Sequence, residues 1–353
     1  ALKRVRITNL RCVEDAELTL DGSRTYLFGP NGAGKTSLLE GMFLLGRGRS
    51  FRTRQTRRLV RRGEAGFAVF GETDDGRERR RLGVAFEAGH LEKRLDGQDP
   101  GGMAVLADIL PVHVVDPGSH GLVEGGPSER RRFVDWGVFH VEQSYLRAWK
   151  TYRRALSQRN AALKARARAD ELRSWTESLI EAGGQVDASR RRYVAELSSA
   201  ANGLGRKLLD QALRIDYRRG WTEGMDLEGA LEASEARDRA GGTTECGPHR
   251  ADLVIRFDDR RVQDEASRGQ QKLAAAALVL AQVAIERRTR PDRGLLLVDD
   301  PAAELDARSV ERLMAALSGL RVQLVLTGLT RDQLAPEEGF PVFHVERGRV
   351  EAL

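Results

Sequence analysis

Gly29-Pro30-Asn31-Gly32-Ala33-Gly34-Lys35-Thr36 is the stretch on which the reading of this chain turns. It matches G-x-x-x-x-G-K-[ST], a pattern that carries meaning only between a strand and a helix. Both flanks are present. The apolar run Tyr26-Leu27-Phe28 precedes the loop, and Ser37-Leu38-Leu39-Glu40-Gly41-Met42-Phe43 follows it with the composition of an amphipathic helix. In that setting the backbone N–H groups from Gly29 to Ser37 can turn onto phosphates, aided by the positive end of the helix dipole. Lys35 can reach the β- and γ-phosphates, and the Thr36 hydroxyl is placed to ligate Mg²⁺. The expectation is a nucleoside triphosphate site.

A second half of that site is read far downstream. Gly294-Leu295-Leu296-Leu297-Val298-Asp299-Asp300 is an apolar run ending in two carboxylates, the pattern of a buried parallel strand with acids at its carboxyl end. Open α/β sheets bind ligands at that end. Asp299 is expected to hold Mg²⁺, directly or through water, and Asp300 to polarise an attacking water. Between the two motifs, Ala266-Ser267-Arg268-Gly269-Gln270-Gln271 leads into Lys272-Leu273-Ala274-Ala275-Ala276-Ala277-Leu278, a strong helix former. Ser267 suits an N-cap, and Gly269 leaves backbone open to an anion. Taken alone, those residues describe an ordinary capped helix.

The order of the motifs says more. Phosphate loop, S-x-G-Q helix start, Asp-Asp strand and then Glu304-Leu305-Asp306 resembles the ATP-binding-cassette ATPases. That resemblance implies an α/β fold, a mixed sheet with flanking helices. It also implies that Ser267, Arg268, Gly269 and Gln270 of one subunit cap the γ-phosphate held by another, with Glu304, Leu305 and Asp306 as the D-loop. Further stretches narrow the family: Leu2-Lys3-Arg4-Val5-Arg6-Ile7 at the start, Gly46-Arg47-Gly48-Arg49-Ser50-Phe51-Arg52, Gly125-Gly126-Pro127-Ser128-Glu129-Arg130-Arg131-Arg132, and Gly247-Pro248-His249-Arg250-Ala251-Asp252. Together they resemble the RecF family of bacterial DNA replication and repair proteins, single-headed relatives of the SMC proteins. The resemblance spans essentially the whole chain. It implies an ATP- and Mg²⁺-dependent homodimer that binds double-stranded and gapped DNA at single-strand/double-strand junctions. It also implies partnership with RecO and RecR in loading the RecA recombinase. Arg268 for a small residue, Ala266 for leucine and Ala303 for serine depart from the pattern and point to a slow switch. A nucleotide-stabilised scaffold without hydrolysis is the alternative. A transporter ATPase subunit is a weaker one, because Val322-Gln323-Leu324-Val325-Leu326 ends in Thr327-Gly328 where such subunits carry histidine.

Composition agrees with a polyanionic partner. The 353 residues carry a net charge of +6 and a pI near 9.6. Arg47, Arg49, Arg52, Arg54, Arg57, Arg58, Arg61 and Arg62 crowd one stretch with no acid before Glu64, making them the DNA-contact candidates. Arg77, Arg79, Arg80 and Arg81 are mixed with Asp74, Asp75 and Glu78 and read as an exposed hairpin. Cys12 and Cys246 make no disulfide framework. Neither a signal peptide nor an apolar run of membrane length is visible, so the expected location is the cytosol, away from membranes.

Residues 126–240 read as an inserted helical lobe that splits the ATPase head into parts at 1–125 and 241–353. Val5 and Ile7, then Leu18 and Leu20, suggest two edge strands. Tyr145, Trp149, Tyr152, Leu156 and Leu163 keep one helix face, with basic residues opposite. A second helix is expected from Asp170 to Glu181, breaking at Gly183-Gly184 and resuming from Asp187 towards Leu213. Ala251–Phe257 alternates as a strand returning to the head. Arg130, Arg131 and Arg132 read equally as DNA contacts or braces between lobe and head, and Asp135 with Trp136 as an interlobe anchor. His249 and Arg250 read as a capped loop or a nucleotide sensor, and Arg11 as a side approach to the nucleotide.

Overall fold

Helix α1 (Lys35–Arg47) lies between two β-sheets, and every residue from Ser37 to Gly46 is buried. A helix covered on all sides belongs to a core, so the amphipathic expectation is corrected. The computed structural model describes residues 1–20, 22–291, 293–334 and 339–353. The strands before residue 120 are β1 (Leu2–Leu10), β2 (Val13–Thr19), β3 (Arg24–Phe28), β4 (Gly66–Asp74), β5 (Arg79–Glu87), β6 (His90–Leu95) and β7 (Val112–Val115), with α2 (Met103–Ile109) ahead of the last. Next come α3 (Gly121–Glu124), α4 (Pro127–Val141), α5 (Tyr145–Lys164), α6 (Ala169–Leu209), β8 (Leu213–Arg218), α7 (Leu227–Gly241), β9 (Asp252–Phe257), β10 (Arg260–Arg261) and α8 (Val262–Glu265). The chain closes with α9 (Arg268–Thr289), β11 (Leu295–Val298), α10 (Ala307–Ser318), β12 (Gln323–Gly328), α11 (Arg331–Leu334), β13 (Val342–Glu346) and β14 (Arg349–Ala352).

Two compact units result. The first comprises Ala1–His120, Lys207–Leu209 and Arg268–Leu353, and the second Gly121–Arg206 and Asp210–Ser267. In the first unit an antiparallel sheet runs β2-β1-β4-β5-β6, and a second sheet runs β14-β13-β3-β12-β11-β7. Within the latter, β13, β3, β12, β11 and β7 are parallel and β14 is antiparallel. Strand β11 reads Leu295-Leu296-Leu297-Val298 and is buried throughout, as a central parallel strand must be. Strand β1 pairs on both sides, so only β2 of the expected two edge strands lies at an edge. Strand β12 lies between β3 and β11, and β13 adds on the far side of β3.

The second unit sets helices beside a small antiparallel sheet of order β10-β9-β8. It reaches Ser267, beyond the boundary at 240, and begins at Gly121, ahead of 126. The reason is pairing: β9 registers with β8 from Arg218↔Asp252 to Leu213↔Phe257, so the strand expected to rejoin the head stays in the lobe. Helix α6 is continuous over 41 residues, about 60 Å at 1.5 Å per residue. Gly183 does not break it. A Cβ there would come within 2.6 Å of Leu227 and 3.1 Å of Tyr152, so this glycine admits α7 and α5 close to the helix. No helix among the described residues is long and apolar enough to cross a membrane.

Candidate nucleotide site

Strands β3, β12 and β11 lie side by side and parallel. Their carboxyl ends therefore bring the 29–36 loop, Thr327 and the Asp299-Asp300 pair to one edge of the sheet. Gly29 leaves β3 with φ +156°, and a Cβ there would sit 2.1 Å from the Val345 carbonyl oxygen. Only glycine fits that approach. Helix α1 then starts after Gly34 with no side chain capping it and no acid in its first turn. Its first N–H groups are left to an anion.

Lys35 is 8 % exposed, and its Nζ donates to the carbonyls of Gly29 at 2.5 Å and Pro30 at 3.0 Å. Burial lowers its pKa, while the charges of Asp300 and Asp299 act to raise it. Thr36 Oγ1 donates to Asp299 at 2.9 and 3.1 Å. Thr327 Oγ1 donates to Asp299 Oδ1 at 2.8 Å and accepts from the Asp300 N–H at 2.9 Å. Thus the residue standing where a transporter subunit has histidine ties both acids to β12. Asp299 is 6 % exposed and burial raises its pKa. Asp300 turns with φ +45°, a left-handed backbone that aspartate tolerates better than most residues. A hydroxyl beside a buried carboxylate is a donor set that suits a hard divalent cation, so Thr36 and Asp299 could hold Mg²⁺.

Two groups here were missed in the sequence. Lys272, on α9, is 2 % exposed and its Nζ donates to the Ala303 carbonyl. Burial lowers its pKa against the pull of Glu304, Asp300, Asp116 and Asp299. Asp116 follows β7 as Asp299 follows β11, in register Val298↔Val115, and its charge also acts on Asp299. The available signals were a lysine opening an alanine-rich helix and an apolar run, Val112–Val115, ending in aspartate.

Other predicted residues fall out variously. Ser267 immediately precedes α9, while Arg268, Gly269 and Gln270 form its first turn. A Cβ on Gly269 would lie 3.7 Å from the Glu304 carbonyl oxygen, which brings the signature turn beside the 304–306 segment of the same chain. Glu304 has φ +64°. Asp306 caps α10, accepting from Ser309 N–H at 2.9 Å. Arg11 pairs with the fully buried Glu40 at 2.9 and 3.1 Å, so its guanidinium is engaged in the core of α1. Among the DNA-contact candidates, Arg49, Arg52, Arg54, Arg57, Arg58 and Arg62 are exposed. Two are not available in that way. Arg47 stacks over Phe43 at 5.4 Å with its Nε buried, and Arg61 pairs with Glu14 at 3.0 Å. In the hairpin, Arg79 pairs with Asp74 and Arg80 with Glu78 and Asp96.

In the second unit the arginine triplet is internal bracing. Arg130 pairs with Asp252 at 2.8 Å, Arg131 donates to the Ala251 carbonyl, and Arg132 binds back on Ser128 and Glu129. Asp135 accepts from Tyr145, Trp149 and Arg190, all within the lobe, and Trp136 stacks edge-on to His140. His249 is bonded through both ring nitrogens, to Tyr152 Oη at 2.6 Å and the Thr244 carbonyl at 2.9 Å. Burial lowers its pKa to about 4. That is the capped-loop reading. Arg250 is exposed.

Similarity to known proteins agrees with this architecture. The family described as "RecF/RecN/SMC N terminal domain" matches residues 1–350. The DNA replication and repair protein RecF of Shewanella loihica is 35% identical, covering 100% of this chain and 99% of that one. RecF of Edwardsiella ictaluri is 39% identical, with 99% of each chain covered. A solved structure of the recombination mediator protein RecF with ATP superposes with a TM-score of 0.88 at 25% identity, covering 100% of this chain and 97% of that one. An Smc head bound to a ScpA domain, at 14% identity and TM-score 0.61, covers 100% and 96% and shares the fold alone. This chain therefore belongs to the RecF family of DNA replication and repair proteins, within the RecF/RecN/SMC group of ATPase heads.

Proposed function

We propose that this chain is an ATP-driven DNA clamp of recombinational repair and replication restart. The observation that supports it most is the Thr36–Asp299 contact at 2.9 and 3.1 Å, which joins the phosphate loop to the acidic strand end. In this reading Lys35, Thr36, Asp299 and the loop from Gly29 to Ser37 hold the triphosphate of one copy. Ser267 and Gly269 of a second copy close on its γ-phosphate, so ATP is shared across a homodimer. Thr36 and Asp299 would hold Mg²⁺, which would supply charge neutralisation for the triphosphate. Asp300 accepts the proton of the attacking water, and loss of the γ-phosphate reopens the pair.

Two copies brought together present their basic surfaces at once, and affinity for DNA rises through that bivalency. The arginines exposed between Arg49 and Arg62 are the contacts proposed on the first unit. Gapped duplex and single-strand/double-strand junctions are the proposed substrates, with RecO and RecR as partners in loading RecA. The test is the solution mass with Mg²⁺ and ATP, with and without gapped duplex, beside a Ser267→Arg variant. A monomer that doubles only with ATP, and fails to in the variant, supports the clamp. A mass indifferent to ATP sinks it and favours a nucleotide-stabilised scaffold.

A further inference from the structure

Helix α5 divides its side chains by charge more sharply than its neighbours do. Tyr145, Ala148, Tyr152, Ala155, Leu156, Ala162 and Leu163 are buried, and Arg159 is buried with them, paired to Asp238 at 2.7 Å. The opposite face carries Arg147, Lys150, Arg154 and Lys164, all exposed. At 100° per residue these four fall within about a third of the helix circumference, as a ridge roughly 25 Å long. Arg153 is drawn aside over the Trp149 ring at 5.5 Å.

No aspartate or glutamate occurs between Glu142 and Asp170. Both flanking acids are engaged already: Glu142 by Arg192 at 2.9 Å and Asp170 by Arg168 at 3.5 Å. Among the described residues, Arg147, Lys150, Arg154 and Lys164 form no ion pair. A solvated helix normally mixes signs. The next helix but one, α7, does so, with Arg239 on Glu235 at 2.9 Å.

From the spacing, exposure and missing counter-charges of that ridge, we infer that α5 is a second nucleic-acid contact, seated on the phosphate backbone of duplex DNA. Its residues between the charges, Ser157, Gln158 and Ala161, are small or neutral and offer no base-reading pattern. The contact is thus one of charge and shape, independent of sequence. This inference rests on the DNA-binding reading and assigns the second unit a part in it.

The test is duplex binding by fluorescence anisotropy across a salt series, comparing wild type with a combined Arg147→Gln, Lys150→Gln, Arg154→Gln protein. Three lost phosphate contacts make the slope of log K against log salt shallower by about 3. The ATP-dependent solution mass should stay as in wild type. An unchanged slope in a variant that retains its circular-dichroism melt overturns the α5 contact, whatever else the variant loses. A wild-type protein with no salt-sensitive duplex binding overturns the DNA reading itself. If the triple variant does not fold, the single Lys150→Gln and Arg154→Gln proteins carry the test, with a change of about 1 each.

Discussion

Burying an ammonium group costs several kcal/mol unless partners return it, and Lys272 has the Ala303 carbonyl and four neighbouring carboxylates to do so. It links the signature helix to the turn that follows Asp300. Lys272→Met keeps the volume and removes the link. Turnover should fall on the order of tenfold, from loss of a charge-assisted hydrogen bond, while nucleotide affinity stays near wild type. Parallel titration of nucleotide binding and phosphate release separates the two. Lys35→Ala, by contrast, should abolish nucleotide binding and ATP-dependent pairing together. His249 offers a third check. Its folded pKa is about 4 against the ordinary 6.5, so the unfolded chain takes up a proton first as pH falls. Stability contributed by the neutral ring is complete above pH 6.5 and is lost towards pH 4, by about 3 kcal/mol. His249→Gln should lose less over that interval in urea melts at pH 7 and pH 4.5. The meeting of the 29–37 loop with the Asp299-Asp300 strand end could be expected from sequence because each motif is local to one loop or one strand end. That Lys272 and Asp116 lie beside them could not, since only the packing of α9 and the order of the sheet bring them to that edge.

At the scale of elements, sequence and structure part for a shared reason: a neighbour that one sequence does not announce. Helix α1 looks amphipathic until a sheet covers each side. Gly183-Gly184 looks like a break, yet the two glycines have opposite surroundings. Gly183 faces Leu227 and Tyr152, while Gly184 is exposed, with nothing within 4 Å of where a Cβ would stand. Gly183→Ala should therefore overpack α6 and lose about 1–3 kcal/mol. Gly184→Ala should gain about 0.5–1 kcal/mol from helix propensity. Chemical denaturation of the two single variants gives the answer, and equal signs would sink this account of the helix. The lobe boundaries differ for a similar reason. The alternation of Leu253, Ile255 and Phe257 marks β9 as a strand without saying that β8 is its partner.

For the whole molecule, the proposed clamp turns on what ends the ATP-bound state. Asp300 is tethered by its own N–H to Thr327, so Asp300→Asn leaves the strand end in place. That protein should still pair with ATP, hold the pair longer, and release phosphate at least a hundredfold more slowly, within the usual contribution of a general base. Size-exclusion lifetimes with Mg²⁺ and ATP, set beside single-turnover phosphate release, measure both effects. An Asp300→Asn protein that never pairs would remove Asp300 from the role of base.

Strand β3, which launches the phosphate loop, is flanked by β12 and β13, and both are made long after it. From Phe28 to Gly328 is a wait of roughly 15–60 s at 5–20 residues per second. Residues 121–267 emerge in the interval and include every strand of their own small sheet. The lobe can thus mature on the ribosome while β3 stands unpartnered. A ribosome stalled before β12 therefore holds a nascent protein with a finished lobe and no means of gripping nucleotide.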